Sequence, residues 1–133
     1  MQPSDNEQPV PGQGLAIASE SLYLANLLLL PGIAFIVLLV IYVKRIGQSP
    51  PLARCHLEQT LLASLWAGIL LIVANGVILL LGGYDAAYTW VVLVLYFTVA
   101  HTTLVVLGTI GLARAMAGKP FEFPLLGKQC HGL

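Results

Sequence analysis

Chemistry in this chain has to come from few residues, and His101 is the first to consider. It stands in VLYFTVAHTTLVVLG, residues 94–108, an otherwise apolar run broken only by threonines. An imidazole there can ligate haem or a metal, contact a partner subunit, or act as a polar peg hydrogen-bonded across helices. Haem and metal sites ordinarily take a second ligand, and no other histidine or methionine falls at this depth. The residues favour the peg, an interaction worth about 0.6–2 kcal/mol. Its expected neighbours are Ser64 and Gly68, whose small side chains let a facing helix approach closely. Asn26 and Asn75 are the other polar groups in apolar surroundings. An unpaired amide in hydrocarbon is costly, so their similar depth predicts that the two lie together.

A second group is Cys55-His56 with Cys130-His131. Two thiolates and two imidazoles match zinc in ligand type, but adjacent Cys-His cannot readily turn both side chains onto one ion. No metal or other cofactor is assigned, and Cys55 is expected to be an ordinary thiol in a reducing compartment. His56, Glu58 and Gln59 fall in a first helical turn, where acceptors and acids suit the orphan N–H groups. Glu58 is expected to pair with Arg54, worth about 0.2–0.5 kcal/mol at that spacing. The alternative for His56 and Gln59 is docking of a partner, together with Phe121, Phe123 and Pro124. There is no nucleophile–base pair, phosphate loop or pair of carboxylates, so no enzyme is expected.

These residues are carried on an apolar chain. Of 133 residues, 58% are hydrophobic and 9% charged, with mean hydropathy +0.88. Apolar segments run from about Leu22 to Val43, Leu57 to Leu81 and Ala87 to Met116. Each reaches the ~20 residues that cross ~30 Å of hydrocarbon, and only helices satisfy their own backbone there. The expected fold is all-α, with three transmembrane helices and spans two and three as an antiparallel hairpin. Pro31-Gly32 should kink the first span. All six Lys and Arg (Lys44, Arg45, Arg54, Arg114, Lys119 and Lys128) fall on one side of this plan. Asp5, Glu7, Glu20 and Asp85 fall on the other, so the positive-inside rule gives N-out and C-in. Residues 1–20 read as a flexible extracytoplasmic tail, 21–118 as the transmembrane domain and 119–133 as an interfacial cytoplasmic tail. A net charge of zero gives no reason to expect nucleic-acid binding.

Two patches carry a resemblance. In SPPLARCHLEQTLLAS (49–64) a loop enters a span through His56 and Gln59. In GLARAMAGKPFEFPLLGK (111–128) a span ends in Gly118, followed by Phe123, Pro124 and Leu125. Over roughly residues 22–128 the chain resembles small bacterial membrane proteins of unknown function. That family is related to the twenty-kilodalton subunit of the chloroplast inner-envelope import translocon. The resemblance implies a three- or four-span helical unit in the bacterial inner membrane; the import role belongs to the plastid relatives. Cys55 and the CHGL end depart from the pattern.

With its chemistry sparse and its packing residues plentiful, the chain reads as a multi-pass accessory subunit. Its partners would be the lipid bilayer and other integral membrane subunits. The alternatives are a homo-oligomeric transporter or pore, and a cofactor-binding subunit using His101.

Overall fold

The computed structural model describes residues 8–130. Helix α1 (Gln13–Leu28) and helix α2 (Ile33–Arg45) divide the segment expected as one kinked span. Pro31 supplies no donor, and the N–H groups of Leu29 and Leu30 both turn back to the Ala25 carbonyl. Gly32 takes φ 84°, a left-handed conformation that glycine adopts without steric cost. Asn26 Oδ1 accepts the Gly32 N–H at 2.9 Å and fixes the reversal. A proline alone bends a helix; proline, left-handed glycine and a side-chain cap together turn the chain around.

At 1.5 Å per residue α1 and α2 are about 24 and 20 Å long, each short of ~30 Å of hydrocarbon. Gln13 Nε2 donates to the Met116 carbonyl at 2.7 Å, where the last long helix ends. Gly12 lies against Pro50 and Ala53, where α2 has already returned. The pair is thus a hairpin that enters and leaves at one end of the molecule. The start of α1 lies at the same end as the 44–56 loop and the C-terminal tail, where the N-out, C-in plan expects opposite sides. Apolar length alone does not encode the reversal at residues 29–32, which depends on Gly32 and the Asn26 cap. Asp5 and Glu7 lie outside the described residues.

Helix α3 (Pro51–Gly68) starts with proline at N1, where no N–H is needed. It passes through a π-type turn, Ile69–Val73, into α4 (Ala74–Gly82), forming one 32-residue rod. Helix α5 (Ala87–Met116) has 30 residues. These two helices are long and apolar enough to cross a membrane, and only 11% of each apolar window is buried within the chain, unlike the core helix of a soluble domain. Gly82 permits the close turn between them, since a Cβ there would collide with Thr89. Trp90 Nε1 donates to the Tyr84 carbonyl at 2.8 Å, and Tyr84 and Trp90 meet edge to face, suiting a headgroup belt.

Helix α1 runs antiparallel to α5 and occupies the groove between α3 and α5. Gly108 faces Tyr23 and Leu24, Gly111 faces Glu20, and Ala115 packs with Ala16 and Leu52. Tyr23 is buried, and its hydroxyl donates to the Leu104 carbonyl at 3.2 Å. The small-residue face of α5 is therefore covered within the chain. Gly118, at φ 67°, ends α5. The tail then folds over this end, burying Phe123 against Tyr23 with ring centroids 5.3 Å apart.

Candidate functional site

Two polar constellations result. At the basic end, His56 from the second turn of α3 meets Glu20 from the middle of α1, Nδ1 to Oε1 at 2.6 Å. Both side chains are fully buried. His56 Nε2 is 3.0 Å from the Lys119 carbonyl. A carbonyl only accepts, so Nε2 must carry a hydrogen. One proton then lies between Nδ1 and Glu20, and the pair is neutral overall wherever that proton sits. Burial pushes the Glu20 carboxyl above its ordinary value of 4.5, opposed by the hydrogen bond and the charge of His56. This contact joins α1, α3 and the tail.

One turn further along α3, Gln59 grips the tail twice. Its Oε1 accepts the Phe123 N–H at 3.3 Å, and its Nε2 donates to the Lys128 carbonyl. Cys55 and Cys130 form a disulfide, with Cα atoms 5.5 Å apart. That corrects the expectation of a free Cys55 thiol: spacing along the chain did not show that the tail returns to the start of α3. The bond also removes both sulfurs from the zinc set, and His56 is already held by Glu20 and Lys119. His131 lies outside the described residues, and among the described residues no three His, Cys, Asp or Glu gather as a metal site. Glu58 pairs with Lys128 at 3.4 Å, not with Arg54.

His56, Gln59 and Phe123 were expected as docking residues. All three are buried within the chain, leaving Pro124 exposed and Phe121 half-buried. Glu20 escaped the sequence reading, which placed it in a flexible outer tail. The available signal was the spacing of Ala16, Ser19, Glu20 and Tyr23, four small or polar residues on one helical face.

The second constellation lies about 20 Å from either end of α5. His101 Nε2 donates to the Leu27 carbonyl at 3.1 Å, an orphan acceptor in the last turn of α1. His101 thus pegs the hairpin tip, where the expected neighbours were Ser64 and Gly68. Asn26 and Asn75 are not paired with each other. Asn26 caps Gly32, while Asn75 Nδ2 donates to Leu71 in its own helix at 2.7 Å. Asn26, Ser64, Gly68 and His101 nevertheless share one feature, a cleft of about 420 Å³ between the hairpin tip and the long helices. Irregular backbone at membrane depth persists where it is covered by protein or lines a cavity, and the turn at Pro31-Gly32 lines this one. Comparison with protein-family models, curated proteins and solved structures finds no match to this chain.

Proposed function

We propose that the chain is a small, non-catalytic subunit of a larger complex in the bacterial inner membrane, with both ends of its described part on the cytoplasmic side. The resemblance supplies the bacterial setting, and the positive-inside rule supplies the orientation. Lys44, Arg45, Arg54, Arg114, Lys119 and Lys128 all sit at the end where α1 begins and α5 finishes. Glu20, His56 and Gln59 at that end are buried in contacts within the chain, which suits holding rather than turnover.

Leu125 is the observation that carries the docking role. It has φ 65° and is fully exposed. A left-handed leucine costs about 1–2 kcal/mol, and such strain persists where the surroundings over-determine it. Here Gly127 N–H closes the turn onto the Phe123 carbonyl at 2.8 Å, and Gln59 holds Phe123 before it and Lys128 after it. A strained, rigidly mounted apolar side chain facing outward suits insertion into an apolar pocket of a partner subunit.

Native mass spectrometry of the protein, extracted gently from its own membrane, tests this. The expected mass contains this chain plus other polypeptides, and Leu125→Glu sheds them while remaining folded. A single chain, or a clean multiple of it, overturns the proposal.

A further inference from the structure

We infer that the mid-membrane cleft binds an uncharged, lipid-dissolved alcohol, seating its hydroxyl between Asn26 and His101 and its apolar body along α3 and α5. The inference rests on the cleft alone and is independent of docking through Leu125. About 420 Å³ falls within the ~300–1,000 Å³ of small-molecule sites. Phe35, Leu65, Leu71, Ile72 and Phe97 form its apolar lining. Leu65, Ile72 and Phe97 are 50%, 74% and 42% exposed, so the opening faces sideways, toward lipid.

The polar atoms define the head group. Asn26 Oδ1 is taken by Gly32, and among the described residues its Nδ2 hydrogens have no acceptor. His101 Nε2 carries the hydrogen it gives to Leu27, and its Nδ1, the acceptor nitrogen of that imidazole tautomer, has no partner among the described residues. One donor and one acceptor on the same cleft fit a group that both accepts and donates, which a hydroxyl does and a ketone or ether does not. Ser64 is a second, independent sign. It lines the cleft at 4% exposure, and its Oγ has no hydrogen-bond partner among the described residues. Buried hydroxyls are ordinarily satisfied, so an unpaired one beside an empty space marks a place for a further polar group. Among the described residues no Asp, Glu, Lys or Arg lines the cleft, which favours an uncharged head over an ionic one. The π-type turn at Ile69–Val73, a distortion frequent at functional sites, contributes Leu71 and Ile72 to the lining.

The test uses the full chain in lipid nanodiscs, a diazirine-bearing hexadecanol and its matched methyl ether. The alcohol is expected to photolabel the segments around Leu65–Ile72 and Phe97–His101, with competition by plain hexadecanol. The ether, lacking the donor, is expected to label at least about fivefold less, the order of one lost hydrogen bond. Gly68→Leu supplies the control. A Cβ at Gly68, which lines the cleft, meets nothing within 4 Å, so a larger side chain has open space to enter there. Labelling should fall to background while thermal stability is kept. Equal labelling by alcohol and ether, or labelling that survives Gly68→Leu, overturns the inference and leaves the cleft to ordinary acyl chains.

Discussion

The contact between Glu20 and His56 makes the basic end sensitive to protons. A carboxyl whose folded-state pKa lies above its unfolded value holds its proton longer in the folded chain. Its stabilising contribution is fully present below the ordinary 4.5 and is lost as pH rises through the elevated folded value. Without the shared proton, a carboxylate faces the bare Nδ1, or the ring switches tautomer and abandons the Lys119 carbonyl. Unfolding of the detergent-solubilised protein should therefore become easier as pH is raised from 4.5. Glu20→Gln should flatten that slope, because an amide still donates to Nδ1 but does not titrate. His56→Ala should cost roughly 3–5 kcal/mol, as expected when one partner is removed from a buried pair. A pH slope unchanged in Glu20→Gln would assign the titration to another group. The histidine's importance was legible in SPPLARCHLEQTLLAS, but its partner was not. Thirty-six positions separate Glu20 from His56, and no local pattern specifies contacts at that range.

At the scale of elements, the seating of α1 depends on the absence of side chains from α5. A Cβ at Gly108 would lie 2.5 Å from Tyr23 Cε1 and 2.8 Å from Leu24 Cδ2. Gly108→Val should force α1 outward at a cost of about 1–3 kcal/mol. Hydrogen exchange is the suitable measurement: protection should fall along α1 while α3 and the interior of α5 keep theirs. Undiminished protection of α1 would mean that it is held elsewhere. The two long helices, their tight turn and the concentration of basic charge were legible because each follows from local composition. The hairpin was only half legible. Pro31-Gly32 marked the place, but kink and reversal differ by the Asn26 cap and by the docking of α1 into a groove assembled from distant residues. The same limit applies to Asn26 and Asn75, whose equal depth proved a poor guide because each amide found a nearer backbone partner.

For the molecule as a whole, the hairpin leaves two candidate crossings and keeps the charge rule intact. No Lys or Arg precedes Lys44, so bringing the start of α1 to the basic side strands no positive charge outside. Reporters fused to the two termini should both register as cytoplasmic, whereas opposite locations would restore a three-span arrangement. In that orientation the Cys55–Cys130 bond faces a reducing compartment, where disulfides are transient. The tail does not depend on it, being held also by Gln59, by His56 through Lys119, and by Phe123 against Tyr23.

The groove that receives α1 also imposes an order on the protein's birth. One wall, bearing Gly108, Gly111 and Ala115, belongs to α5, the last of the described helices to be made. At translation rates of about 5–20 residues per second, Glu20 leaves the ribosome roughly 5–20 s before the wall it rests against. During that interval a helix too short to cross and bearing a carboxyl has no finished seat in hydrocarbon. It must wait at the membrane surface until the two long helices are in place. Among the described helices, the first synthesised is thus the last to be installed, and the tail closes over it only afterwards.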